Sequence, residues 1–147
     1  MAQTAVHSVR KIPASPDAVW GVIGTFDASW HPGVAECNLL RAADGALLRS
    51  FKDQDGNPYE ERRSYISDTD RVLCYRLLKG IDDVLNYAAR VEVTETESGS
   101  MVSWHAEISA SAERLEAIAD GTRTIFEAGL EALETPPRVK SISRSKL

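Results

Sequence analysis

Hydrophobic and polar positions along the chain change their period three times. Residues 4–12 alternate, with Val6, Ser8 and Arg10 on one face and Ala5, His7 and Val9 on the other, which predicts a first strand. After Pro13-Ala14-Ser15-Pro16-Asp17 the apolar residues Val19, Trp20, Ile23 and Phe26 fall at helical spacing, which predicts a helix over about 17–26. Ser15 is placed to cap it, Pro16 suits its first position, and Asp17 complements its positive end. Gly21 and Gly24 lower its intrinsic propensity, so packing has to hold it. Residues 27–33 predict a second short turn or helix that stops at Pro32. From 34 to 110 the period is two. Strands are predicted at 34–41, 45–52, 59–67, 71–79, 84–95 and 100–110, punctuated by Asp44-Gly45, Asp55-Gly56-Asn57-Pro58, Asp68-Thr69-Asp70, Lys79-Gly80 and Ser98-Gly99. In the fifth of these, Leu85, Tyr87, Ala89, Val91 and Val93 share a face. In the sixth, Val102, Trp104, Ala106 and Ile108 do, which predicts an antiparallel sheet with one wet side. Over 112–134 the helical period returns. Leu115, Ile118, Ala119, Thr122, Ile125, Phe126, Gly129, Leu130 and Leu133 form the stripe, and a glutamate-rich face lies opposite. Pro136-Pro137 ends that helix, and the basic, serine-rich remainder is expected to be a disordered tail.

This order of elements predicts an α+β domain over 1–135, followed by the tail 136–147. A curved antiparallel sheet of about seven strands would wrap around the long C-terminal helix, with two short helices after the first strand. One helix is narrower than such a sheet, so a cavity between them is expected. The 147 residues are 43% apolar, enough to bury a core without metal or disulfide. Lys plus Arg number 17 against 22 Asp plus Glu, a net charge of -5, which argues against sequence-independent nucleic-acid binding. No apolar run is long enough to span a bilayer, and no secretory start is present, so a cytoplasmic protein is expected, monomer or homodimer. Ser145-Lys146-Leu147 matches a peroxisomal matrix address, which a eukaryotic host would read. Cys37 and Cys74, far apart and outside any CxxC pair, are expected as buried reduced thiols. His7, His31 and His105 have no metal-ligand spacing, and nucleotide-binding glycine motifs and GxSxG are missing, so no metal or cofactor is expected. His105 reads as a surface residue. His31, beside Trp30 in the short turn, can border the cavity, with a structural turn role favoured over a catalytic one.

Several short segments together resemble the START-like, helix-grip (SRPBCC) superfamily, in its polyketide cyclase/dehydrase and lipid-transport branch. They are Ile12-Pro13-Ala14-Ser15-Pro16-Asp17-Ala18-Val19-Trp20, then Trp30-His31-Pro32, then Gly45 with Arg49, and Gly56 followed by Glu61-Arg62-Arg63. Further on come Tyr87, Gly99 before Val102-Ser103-Trp104, and Gly129-Leu130 with Leu133. The resemblance covers about residues 3–134. It implies a helix-grip fold with an internal cavity, and either carriage of a small molecule or chemistry on one. It also implies a ligand entrance at the loops Asp53–Tyr59 and Lys79–Val84. Their composition does not match the gate and latch of the plant abscisic-acid receptors of the same superfamily. These loops hold few apolar anchors and are expected to form a mobile rim. Where the family commonly shows Glu-Arg-Leu, this chain has Glu61-Arg62-Arg63.

The inward register predicts a cavity lined by Phe51, Tyr65, Tyr75, Leu77, Tyr87 and Trp104, with Ile118, Thr122 and Ile125 from the helix. Arg49, Glu61 and Arg63 would be its polar members. The plainer reading makes the aromatics core and lets the charges pair at the barrel mouth. Charge on the aromatic face favours a pocket, since closed cores rarely hold it. Two functions fit. One is binding or transport of a small hydrophobic or aromatic molecule. The other is a cyclase or dehydratase in which an arginine polarises a carbonyl oxygen while Glu61 or a tyrosine moves a proton. Binding is the favoured reading.

Overall fold

The computed structural model describes residues 1–135 and is α+β. Its strands are β1 (Ala2–Ile12), β2 (Val34–Arg41), β3 (Leu47–Asp53), β4 (Pro58–Ser67), β5 (Val72–Lys79), β6 (Val84–Thr96) and β7 (Gly99–Ala110). They form one antiparallel sheet in the order β1-β7-β6-β5-β4-β3-β2. Helix α1 (Pro16–Ile23) and a 3-10 turn (Ala28–Trp30) follow β1, and α2 (Ala112–Ala132) follows β7. The expected disordered tail, the Pro136-Pro137 stop and the terminal tripeptide lie outside the described residues.

Local chemistry explains the elements. Ser15 Oγ accepts the Ala18 N–H at 3.1 Å, and Pro16 opens α1. The helix ends at Ile23, three residues earlier than expected. There the chain turns left-handed at Phe26, whose φ is 69°, and drops that ring fully into the core. The meander β2 to β7 pairs each strand with the next. β1 then pairs β7 along its whole length, from Ala2 opposite Ala110 to Ile12 opposite Ser100. Gly99, at φ 153° in the β6–β7 turn, lets the Ile12 carbonyl approach to where a Cβ would stand 2.3 Å away.

Of the four register shifts in the sheet, two displace side chains expected on the apolar face. The first, between Val84 and Asn86, turns Leu85 outward, so it is 69% exposed rather than on the apolar face. The second lies between Arg63 and Tyr65 on β4 and reshapes the site.

On the concave side, α2 packs mainly on β1 and β7, and α1 on β6 and β7. Val6, Ile12, Val19, Phe26, Val93, Val102, Leu130 and Leu133 fill that end as a closed core. The concave face of β2 to β5 carries far less helical cover, and the cavity opens there. Both cysteines are free thiols, half-buried rather than buried. No helix among the described residues is long and apolar enough to cross a membrane.

Candidate ligand-binding site

The cavity between sheet and α2 encloses about 540 Å³, within the range that drug-sized ligands occupy. Its polar pole is built across β3 and β4, where Arg49 stands directly opposite Glu61. Both are buried, and Arg49 Nε donates to Glu61 Oε1 at 2.8 Å. Nη1 donates to the Phe26 carbonyl at 3.2 Å, and the guanidinium lies 4.1 Å from the Phe26 ring centroid and 4.6 Å from that of Tyr75. Among the described residues, Ser8 Oγ is the one fully buried side-chain polar atom without a partner. Arg49 Nη2 and Glu61 Oε2 have no partner among the described residues, and both residues line the cavity. Burial pushes the Glu61 carboxyl above its ordinary value, against the pull of Arg49. Tyr75 accepts from Trp104 Nε1 at 3.0 Å, which leaves its own hydroxyl proton free to donate. Burial holds Tyr75 and Tyr87 as neutral phenols, and Tyr87 meets the Thr122 hydroxyl from α2.

His31 joins the 3-10 turn to α2. Its Nε2 donates to the Ile125 carbonyl at 2.8 Å, while Nδ1 accepts the Gly33 N–H at 2.9 Å. Gly33 has a proton to give at Nδ1, so the neutral ring carries its own on Nε2. Burial lowers the His31 pKa, with the Arg49 charge adding and the Ile125 bond opposing. With both nitrogens engaged, His31 is a strut of the wall rather than a proton carrier. Trp104 stacks on Phe126 at 4.4 Å, and Gly129 gives both rings room: a Cβ there would stand 2.8 Å from His31 Cδ2 and from Trp104 Cζ3. At the rim, Tyr59 stacks on Phe51 at 5.1 Å and donates to Asp53 at 3.0 Å. Arg114 faces Asp83 at 3.8 Å.

A sequence profile described as polyketide cyclase / dehydrase and lipid transport matches residues 3–136. The chain belongs to that family. Its fold is shared by an uncharacterised protein from Bacillus thuringiensis, 28% identical, with a TM-score of 0.76 over 90% of this chain and 96% of that one. Norcoclaurine synthase from Thalictrum flavum has the same fold at 16% identity, with a TM-score of 0.71 over 90% of this chain and 85% of that one. The Zhui aromatase/cyclase from Streptomyces sp. R1128 follows at 17% identity, with a TM-score of 0.65 over 92% and 88%. No curated protein matches the chain.

In this member of the polyketide cyclase / dehydrase and lipid transport family, the expected residues Arg49, Phe51, Glu61, Tyr75, Leu77, Tyr87, Trp104, Ile118, Thr122 and Ile125 all line the cavity, Ile125 at its mouth with 48% exposure. Arg63 and Tyr65 do not. The β4 bulge, which follows Arg63, breaks the alternation that placed Tyr65 inward. Tyr65 comes to stand opposite Cys74, on the convex side, and is 52% exposed, while Ile66 takes the inward place opposite Leu73. Arg63 stays opposite Tyr75, half-buried, outside the cavity and in no ion pair among the described residues. Trp30, Asp53, Tyr59, Ile81 and Arg114 line the cavity without having been expected to. Tyr59 had a detectable partner in the sequence: Gly80, at φ 131°, whose Cβ would lie 2.3 Å from the Tyr59 ring. Asp53 ends β3 two residues past Phe51, so strand alternation already marked it as inward. Trp30, Ile81 and Arg114 come from the 3-10 turn, a loop and the first turn of α2, where no period marks an inward face.

Proposed function

We propose that the protein binds and carries a small hydrophobic or aromatic molecule in the cavity between sheet and α2. The observation that carries this reading is the cavity itself: about 540 Å³ with an aromatic wall and a single buried polar pole at Arg49 and Glu61. Family membership supports it, as does one structure of norcoclaurine synthase, a fold relative, solved in complex with dopamine and hydroxybenzaldehyde. Native mass spectrometry of the protein purified from its host is expected to show a co-purified small molecule at one per chain. Ala117→Trp, at an exposed lining position of α2, is expected to plug the mouth and abolish that occupancy. A wild-type chain that carries nothing, and that takes up no naphthalene-sized probe, would overturn the reading.

One observation favours a second reading, a cyclase or dehydratase acting on a carbonyl substrate. The Glu61 carboxyl, raised by burial, sits beside an arginine able to polarise a carbonyl oxygen. The direct Arg49–Glu61 contact weighs towards binding, because a carboxylate held in an ion pair is a poor proton shuttle. The two readings part on one result: a carrier releases its molecule unchanged, whereas an enzyme returns a product of altered mass.

A further inference from the structure

The charges lining the cavity cancel, with Arg49 and Arg114 against Asp53 and Glu61. Two of these four stand at the rim, where Asp53 bonds Asn57 and Tyr59 and Arg114 lies 3.8 Å from Asp83. At the inner pole, Arg49 and Glu61 neutralise each other at 2.8 Å. Around them stand the hydroxyls of Tyr75, Tyr87 and Thr122 and the doubly bonded His31. The pole therefore has no net charge. What it offers a ligand is the N–H groups of Arg49 Nη2 and the Tyr75 hydroxyl as donors, beside one carboxylate acceptor, Glu61 Oε2.

Resting on the ligand-binding reading above, we infer that the cavity selects an uncharged ligand whose polar end both accepts and donates a hydrogen bond, such as a phenol, an alcohol or a carboxamide. It rejects the carboxylate of the same skeleton. A neutral hydroxyl or amide accepts from Nη2 and donates to Oε2, and leaves the buried pair intact. A carboxylate has acceptors only. It meets Nη2 but sets a second negative charge against Glu61 in a site remote from water, and the buried ensemble becomes net anionic. His31 cannot supply the missing cation, since its nitrogens are held by Ile125 and Gly33. Arg63 does not line the cavity, and Arg114, which does, stands at the rim facing Asp83.

A matched trio tests the inference: 2-naphthol, 2-naphthamide and 2-naphthoate, titrated calorimetrically at about pH 7.5. Both neutral probes are expected to bind at one per chain, with 2-naphthoate weaker by at least about tenfold. In Glu61→Gln the arginine loses its counter-charge, so 2-naphthoate is expected to gain at least about tenfold while 2-naphthol changes little. Wild-type protein that binds 2-naphthoate as tightly as 2-naphthamide overturns the selectivity and leaves the ligand-binding reading standing. Failure of all three probes overturns that reading itself. The wild-type comparison decides the matter even where Glu61→Gln fails to fold. A folded Glu61→Gln protein with unchanged discrimination removes Glu61 from the role.

Discussion

Two glycines on α2 receive the same substitution with opposite expected outcomes. In an exposed helix interior, alanine for glycine stabilises by about 1 kcal/mol through backbone entropy. Gly121 is exposed, and a Cβ there meets nothing within 4 Å, so Gly121→Ala is expected to gain most of that amount. Gly129 has the same propensity to gain, but its Cβ would stand 2.8 Å from both His31 Cδ2 and Trp104 Cζ3. Neither ring can swing clear. Trp104 is stacked on Phe126 and bonded to Tyr75, and His31 is held at both nitrogens. Overpacking of this kind costs about 1–3 kcal/mol. Displacing His31 from the Ile125 carbonyl leaves buried polar groups unpaired, for about 1–3 kcal/mol more. After the propensity gain, Gly129→Ala is expected to lose about 1–5 kcal/mol, or roughly 2–4 °C in Tm for each kcal/mol at this chain size. Urea unfolding followed by circular dichroism measures both variants on one scale. A Gly129→Ala protein as stable as wild type would refute the reasoning, because the close approach of the two rings would then cost nothing. A destabilised Gly121→Ala would refute the control.

Other substitutions test the pole and the core. Arg49→Met strands the Glu61 carboxylate and is expected to lose about 3–5 kcal/mol in urea unfolding, most of it regained in Arg49→Met/Glu61→Leu. His31 has a folded-state pKa below its unfolded value of 6.5, so the unfolded chain takes up its proton first. Its contribution is therefore complete above pH 6.5 and lost as pH falls through the folded pKa. Glu61, raised by burial above its ordinary value of 4.5, acts oppositely and loses stability as pH rises. The difference in stability between wild type and His31→Gln, measured at about pH 7.5 and pH 5, isolates the histidine and should shrink at the lower pH. Ser8 Oγ is buried without a partner, so Ser8→Ala is expected to be neutral or to stabilise by up to about 1 kcal/mol, read by thermal unfolding.

Strand alternation and helix spacing made the fold readable, because burial of one face repeats every two residues or along one stripe. Ser15, Pro16 and Gly99 made the chain's turns readable because each meets a backbone requirement nothing else meets as well. Where alternation failed at Tyr65 and Leu85, a bulge was the cause. Such an extra residue leaves no sequence mark when the inserted residue is Ser64 or Leu85 rather than glycine. That is how Tyr65 was assigned to the cavity, while Arg49 and Glu61, ahead of that bulge, line it as expected. Arg63 is also ahead of the bulge, and no bulge accounts for its place outside the cavity. Phe26 misled for a related reason. It keeps helical spacing from Val19, yet leaves the helix for a left-handed conformation, since its ring and carbonyl together receive Arg49.

The rim separates into a locked loop and a free one, although both sequences are polar. In the β3–β4 loop, Asp53 Oδ1 accepts the N–H of Asp55 at 3.0 Å and of Asn57 at 2.9 Å, and Oδ2 accepts from Asn57 Nδ2 and Tyr59. The Gly56 N–H donates to the Asp53 carbonyl. In the β5–β6 loop, the N–H groups of Gly80, Ile81 and Asp82 have no backbone acceptor among the described residues. The loop is tied by the Asp83 carbonyl to Ser111 and loosely by Asp83 to Arg114. Ile81 is the apolar side chain it adds to the cavity wall, so a ligand beneath Ile81 would be its main further anchor. At the far end, Arg49 holds Phe26 through Nη1 and Glu61 through Nε, and a ligand on Nη2 need disturb neither bond. The pole is thus preorganised, and the ordering cost of binding falls on a few rim residues. Hydrogen exchange should therefore show fast amides at 80–82 that slow when 2-naphthol is bound, with Gly56 and Asn57 protected in both states. Equal protection of the two loops without ligand, or slowing confined to 54–57, would refute this division of the rim.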